Sequence, residues 1–259
     1  MKRAHVYLVC LFVLAMLVVP YRAFAFIGLD VSVGAWQQTP SGTLDYKGAI
    51  ATDKLDLEND LKYDDENKLL VRVKAELPLI LPNIYLMASP MSFEGTGQKN
   101  VDFSYGGQTF DANVPFDSKL KLDHYDLALF YPIPLLKTAT AGKLNVEFGL
   151  NARKIDFEGT INQPSSGLSA SKKLTLYVPM IYAGVQVKPI SAFSIEAEVR
   201  GISYSDNSYF DYIGRIKIKP IPLVYIAGGY RSETIKIDES DVDVDMEFKG
   251  PFVEAGLSF

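Results

Sequence analysis

From Met246 the chain reads Met-Glu-Phe-Lys-Gly-Pro-Phe-Val-Glu-Ala-Gly-Leu-Ser-Phe and ends at Phe259. Side chains on a strand alternate with a period of two. Val253, Ala255, Leu257 and Phe259 therefore share one face, and Phe252, Glu254, Gly256 and Ser258 the other. A face that is apolar up to a final aromatic residue suits a strand whose outer surface meets lipid and whose end meets the lipid–water interface. The competing reading of this segment alone is an edge strand of a soluble sandwich.

The other end of the chain points the same way. Lys2, Arg3 and His5 form a basic start, Val6 to Val19 is an apolar run, and Ala23-Phe24-Ala25 is a small-x-small site before Phe26. The run is shorter than the roughly 20 residues of a membrane-spanning helix, and Pro20 follows it. Residues 1–25 are thus expected to be a cleaved secretory signal, with cleavage at Ala23, Ala25 and Phe26, leaving 26–259 as one domain. The single cysteine, Cys10, would leave with the signal, so neither a disulfide nor a thiolate metal site is expected. The net charge of −5 becomes more negative once Lys2, Arg3 and Arg22 are lost, which argues against nucleic acid as a partner.

An exported chain without a membrane helix can still cross a membrane with strands, whose mark is segments of about ten alternating residues separated by turns. Ten can be read: Phe26–Gln37, Lys68–Pro78, Ile84–Phe93, Lys119–Tyr131, Lys143–Phe157, Lys173–Lys188, Phe193–Tyr204, Phe210–Ile218, Leu223–Ile237 and the closing segment. In the second, Leu69, Val71, Val73, Ala75 and Leu77 alternate with Arg72, Lys74 and Glu76, so charge on every other residue excludes a strand buried on both faces. The connections after segments two, four, six and eight (Leu79–Asn83, Pro132–Gly142, Pro189–Ala192, Lys219–Pro222) all contain proline, and most are short. Those after one, three and five (Gln38–Asn67, Glu94–Ser118, Glu158–Lys172) are long and polar. This parity matches short periplasmic turns and longer extracellular loops. The expected fold is all-β, a transmembrane up-and-down antiparallel barrel of about ten strands, eight to twelve being admissible, in the cell outer membrane.

Residues assigned to the inner face carry both signs: Asp30, Arg72, Lys74, Glu76, Asp126, Glu147, Arg153, Glu196, Glu198, Arg200, Arg215, Lys217, Arg231, Glu233 and Glu254. Wide aqueous channels need roughly sixteen to eighteen strands, so in a narrower barrel these groups are expected to pair and fill the lumen. A narrow path for small solutes or ions is the alternative. Tyr125, Tyr131, Tyr177, Tyr212, Tyr230 and Phe259 would sit at the ends of outward faces as interface girdles.

An enzyme needs a base, and after export His124, in Leu-Asp-His-Tyr-Asp, would be the one histidine left. It is expected to be a polar rim residue. No strand carries the paired acids and Asp-x-His spacing of omptin-like proteases, so no catalytic residue is assigned. Two acidic tracts, Asp53 to Asp60 with Asp64-Asp65-Glu66, and Asp238 to Asp245, invite a hard-cation reading. Counting from Asp56, the glycine an EF-hand loop needs at its sixth position is Leu61, so solvated loops are expected and no metal or cofactor is assigned.

Several stretches together resemble a known group: Leu81-Pro82-Asn83, Gly149-Leu-Asn-Ala-Arg-Lys-Ile-Asp-Phe-Glu-Gly159, Pro179-Met-Ile-Tyr-Ala183, and Gly229-Tyr-Arg-Ser232 through to Gly250-Pro251-Phe252. The chain is similar to a family of uncharacterised Gram-negative outer-membrane β-barrel proteins of about this length. That resemblance implies a signal-bearing barrel and carries over no catalytic or ligand residue. By similarity to outer-membrane proteins generally, Val253, Leu257 and Phe259 would also be read by the barrel-assembly machinery. Outer-membrane lipid and lipopolysaccharide are the other expected partners, contacted through the loops Gln38–Asn67 and Glu94–Ser118.

Overall fold

The computed structural model describes residues 28–46, 54–78, 80–239 and 242–259. The expected signal segment, Phe26 and two tract residues, Asp53 and Asp241, lie outside them. The strands are β1 (Gly28–Tyr46), β2 (Leu55–Asp56), β3 (Glu66–Glu76), β4 (Asn83–Ser89), β5 (Ser92–Gly97), β6 (Phe103–Tyr105), β7 (Gln108–Phe110) and β8 (Phe116–Pro132). After a helical turn, α1 (Leu136–Ala139), come β9 (Leu144–Gln163), β10 (Leu168–Ile190), β11 (Phe193–Tyr204), β12 (Asn207–Ile221), β13 (Val224–Glu239) and β14 (Val242–Ser258).

Ten staves close a barrel. Each sequential neighbour pairs antiparallel, and β14 returns to β1 with Val31 opposite Leu257, Val33 opposite Ala255 and Ala35 opposite Val253. Closure leaves no open sheet edge at the level of lipid, which any spanning sheet requires. β4 and β5 form one stave broken at Pro90-Met91, since both pair with β8 and the Met91 amide turns to Asp123 Oδ1 at 3.2 Å. Each of the ten expected segments overlaps one of these staves in its described residues. The expected third long loop, Glu158–Lys172, does not exist as a loop. β9 and β10 continue as wall to Gln163 and Leu168.

That difference has one cause, best seen on β9. Outward positions run Leu144, Val146, Phe148, Leu150, Ala152 and then Lys154, Asp156, Glu158, Thr160, Asn162. Inward positions run Asn145, Glu147, Gly149, Asn151, Arg153 and then Ile155, Phe157, Gly159, Ile161, Gln163. The period of two never breaks, but its polarity inverts between Ala152 and Ile155. β8 inverts between Tyr125 and Asp123, and β14 between Pro251 and Lys249. Below the inversion an apolar belt faces out, with Leu150 71% exposed, Ile181 66% and Val253 65%. An exposed apolar surface that circles the molecule is a lipid-facing one. Tyr125, Tyr177, Tyr212 and Tyr230 lie outward at the upper border of the belt, and Tyr131 and Phe259 at its lower end. Above the inversion the wall is built like a soluble sheet, wet outside and apolar inside.

Of the two expected surface loops, residues 38–46, 94–97 and 116–118 extend the wall, and the described residues between strands β1 and β3 and between β5 and β8 fill that upper interior. Residues 57–60, just after β2, form a turn capped by Asp56, whose Oδ1 accepts the Glu58 and Asn59 amides at 2.9 and 2.7 Å. The turn packs so closely on β5 that a Cβ on Gly95 or Gly97 would fall 2.2 or 1.8 Å from the Leu61 or Asp60 carbonyl oxygen. The β6–β7 hairpin inserts beside it.

Candidate functional site

The lumen at belt level is filled by ion pairs in two layers. In the upper one, Arg153 clamps Asp126 through Nε and Nη2 at 2.8 and 3.0 Å. Its Nη2 also donates to Asp211 at 2.5 Å. Arg231 grips the same Asp211 through Nε and Nη2, each at 2.9 Å, reaches Glu233 at 2.9 Å and Ser89 Oγ at 2.7 Å, and lies 4.3 Å from the Trp36 ring centre. Such two-pronged guanidinium–carboxylate contacts fix geometry as well as charge. In the lower layer, Arg215 joins Glu196 at 2.6 Å and Glu254 at 3.0 Å, and Arg72 approaches Glu254 at 3.3 Å. Arg200 binds Glu198 at 3.2 Å between the Tyr85 and Tyr182 rings. Lys74 pairs with Glu147 at 2.7 Å and Lys217 with Asp30 at 2.5 Å.

The structure thus brings fourteen of the fifteen sequence-assigned inner residues into contact with one another or their immediate neighbours. Glu76 is the exception. β3 ends on it, so its side chain lies exposed at the mouth and pairs with Lys137 at 3.2 Å. His124 is not a rim residue. It points into the lumen, fully buried, with Nε2 3.0 Å from the Tyr209 hydroxyl, and Tyr209 in turn contacts Glu233. The reason is parity: His124 shares the inner face of β8 with Asp126, while the larger wall above it removes it from the rim. Asp211, the hub of the upper layer, is not among the sequence-assigned inner residues, although its even spacing from Arg215 and Lys217 puts it on their face of β12.

Above the ion pairs lies an apolar cap. Phe103 stacks on Phe110 at 5.2 Å and meets Phe116 at 5.1 Å, Phe93 stacks on Phe248 at 5.4 Å, and Tyr46 meets Tyr105 edge-on at 5.6 Å. Leu55, Leu57, Leu61, Met91, Leu120, Leu122, Ile161, Val244 and Met246 complete it, all buried. Burial pushes the Tyr63 hydroxyl up to about 12 and raises that of Tyr105 too. Among the described residues no three acids or histidines converge as a metal set. Asp56 caps its turn, Asp60 meets Lys99, and Asp243 and Asp245 pair with Lys54 and Lys236.

The other end is open. Below the lower ion pairs a polar vestibule of about 200 Å3 reaches the mouth on the short-turn side, beside Phe259. Lys188 and Lys219 stand at its opening, and Asn145, Tyr182 and Gln186 line it.

No family model matches the chain, and no curated protein matches it in sequence. Solved structures do. The outer-membrane protease OmpT of Escherichia coli matches over 91% of this chain and 96% of its own, with a TM-score of 0.51 at 14% identity. The fold is that of the outer-membrane β-barrels. OprG of Pseudomonas aeruginosa aligns over 91% of this chain and 96% of its own at 12% identity, with a TM-score of 0.42. At such identities the likeness to OmpT reaches the fold alone.

Proposed function

We propose that the chain is an integral, non-conducting barrel of the outer membrane, with its short turns in the periplasm, whose role lies in its extracellular tier. The observation that carries this reading is the apolar cap seated on a bonded lumen. A solute crossing the barrel would have to displace stacked aromatic rings and then separate buried ion pairs, and breaking one such pair costs about 3–5 kcal/mol. His124 lies beneath the same cap, out of reach of any substrate, which favours a non-enzymatic role. Just above the tyrosine girdle the outer wall carries Lys121–Asp123, Lys154–Asp156, Lys173–Glu158 and Lys249–Glu247 pairs. They stand at the height of lipopolysaccharide headgroups, which makes those phosphates the nearest partner. Val253, Leu257 and Phe259 line the outward face of the closing strand, where the barrel-assembly machinery would read them.

Planar-bilayer recording of the refolded barrel tests this. The expected result is no steady conductance in the wild type. A steady wild-type conductance that changes in Arg72→Ala or Arg200→Ala would replace the reading with a narrow pore.

A further inference from the structure

We propose that the vestibule at the short-turn end is a binding site for a small hydroxylated anion, a carboxylate or phosphate carried on a skeleton with hydroxyl donors. The argument begins with Asn145, which is buried and lines the cavity. Its Nδ2 donates to Glu147 Oε1 at 2.7 Å. A carboxylate accepts and cannot donate, so this contact fixes which end of the amide faces Glu147. Glu147 is itself anchored by Lys74 at 2.7 Å and the Tyr182 hydroxyl at 3.2 Å. The amide oxygen Oδ1 is left buried with no hydrogen-bond partner among the described residues. A buried acceptor without a partner is costly, and it calls for a donor from something that enters.

Charge at the opening supplies the other half. Of the cations that line the cavity, Lys74, Lys137, Lys217 and Arg215 each hold a carboxylate. Lys188 and Lys219 hold none among the described residues; Lys219 donates to the neutral Ser258 Oγ at 2.9 Å. Phe259 lines the same opening, and no carboxylate among the described residues pairs with either lysine. After internal pairing, two ammonium groups face the mouth and an amide oxygen waits inside. A ligand that satisfies both carries negative charge at one end and donors at the other. A volume of about 200 Å3 lies below the roughly 300 Å3 at which drug-sized pockets begin, so the ligand is small. Entry is from the short-turn side, because the ion pairs of the lower layer form the floor.

Isothermal titration calorimetry on the refolded full-length barrel in zwitterionic detergent at low salt tests the proposal, with glycerate and glycerol 3-phosphate as probes. Saturable one-site binding of at least one probe is expected, and the tighter of the two assigns the anionic group. Acetate and glycerol, which carry half of the chemistry each, should bind at least tenfold more weakly. The double variant Lys188→Gln, Lys219→Gln and the single variant Asn145→Leu should each weaken the better probe about tenfold. The lysines take part in no ion pair among the described residues, so the double variant decides the matter even if Asn145→Leu folds poorly. No saturable binding of either probe, affinity unchanged in the lysine variant, or acetate or glycerol binding as tightly as the probes would overturn the site. None of these outcomes bears on conductance.

Discussion

The two tiers of this barrel use one strand pattern with opposite signs. At lipid level β9 puts Phe148 and Leu150 outside and Glu147 and Arg153 inside; a few residues higher it puts Asp156 and Glu158 outside and Phe157 and Ile161 inside. The solvent on the outer face decides which arrangement is stable. Lipid takes the apolar side chains below, so the charges must find partners in the lumen. Water takes the charges above, so the apolar residues must make a core. The difference teaches that each interior is held by a different force: directional, charge-assisted bonds in the lower tier, and burial of apolar area in the upper. The same chain therefore ought to respond to mutation in opposite ways at the two heights.

The lower interior is where loss of a single charge matters most. Arg231→Met leaves Asp211 and Glu233 short of a partner at zero exposure, and a loss of about 3–5 kcal/mol is expected in urea unfolding from lipid vesicles. Adding Asp211→Asn to it should cost less than the two single changes together, because the carboxylate stranded by the first is removed by the second. Additive losses would mean that the layer is a set of independent contacts.

Outer faces sharpen the contrast. Leu150→Arg places a charge in the belt and should cost about 2–4 kcal/mol if Leu150 lies near the bilayer centre. Lys154→Leu, two turns of the pleat higher on the same face, should leave stability unchanged, and equal losses at both positions would remove the boundary between the tiers.

The cap has its own weak point. Gly97→Ala forces a methyl group onto the Asp60 carbonyl, and overpacking of this kind costs about 1–3 kcal/mol. The expected signature is protease cutting within residues 54–65 while the lower barrel keeps its heat-modifiable gel mobility. Loss of that mobility would show that the cap and the barrel fold as one unit.

A smaller effect comes from pH. Tyr63 titrates at about 12 in the folded cap, against 10.0 for the free side chain, because burial disfavours the phenolate. The raised value means that its contribution is fully present below pH 10 and is lost as pH rises toward 12. Tyrosinate absorbance of wild type minus Tyr63→Phe should show this late titration, and a normal value near 10 would mean that the cap admits water.

Much of the lower tier was legible in the sequence. An apolar outer row beside a charged inner row, as in Leu69 to Leu77 against Arg72 to Glu76, has few other homes than a lipid-facing wall. Ion pairing among those inner residues followed from the narrow lumen, though not the hub role of Asp211 or the burial of His124, because partners across a barrel depend on shear and not on spacing along one strand. The upper tier is harder to read. Its polar outer rows look like loop sequence when only apolar outer rows are sought, so the pattern predicts a loop over Glu158–Lys172 where the structure has wall. Its core was nevertheless announced by density of large apolar residues in supposedly polar connections: Leu55, Leu57, Leu61 and Tyr63 in the first, Phe103, Tyr105, Phe110 and Phe116 in the second. The vestibule had no sequence signal, since Asn145 is singled out only by which of its atoms Glu147 occupies.

The inversion itself can be measured on one strand. In a Cys10→Ser chain, which has no other cysteine, the substitutions Phe148→Cys, Leu150→Cys, Lys154→Cys and Asp156→Cys place thiols on the outer face of β9 at four heights. After reconstitution in lipid vesicles and exposure to a membrane-impermeant maleimide, the 148 and 150 variants should stay unlabelled and the 154 and 156 variants should react fully. Uniform labelling along the strand, or protection that extends through 156, would contradict a boundary between a lipid-facing and a water-facing tier.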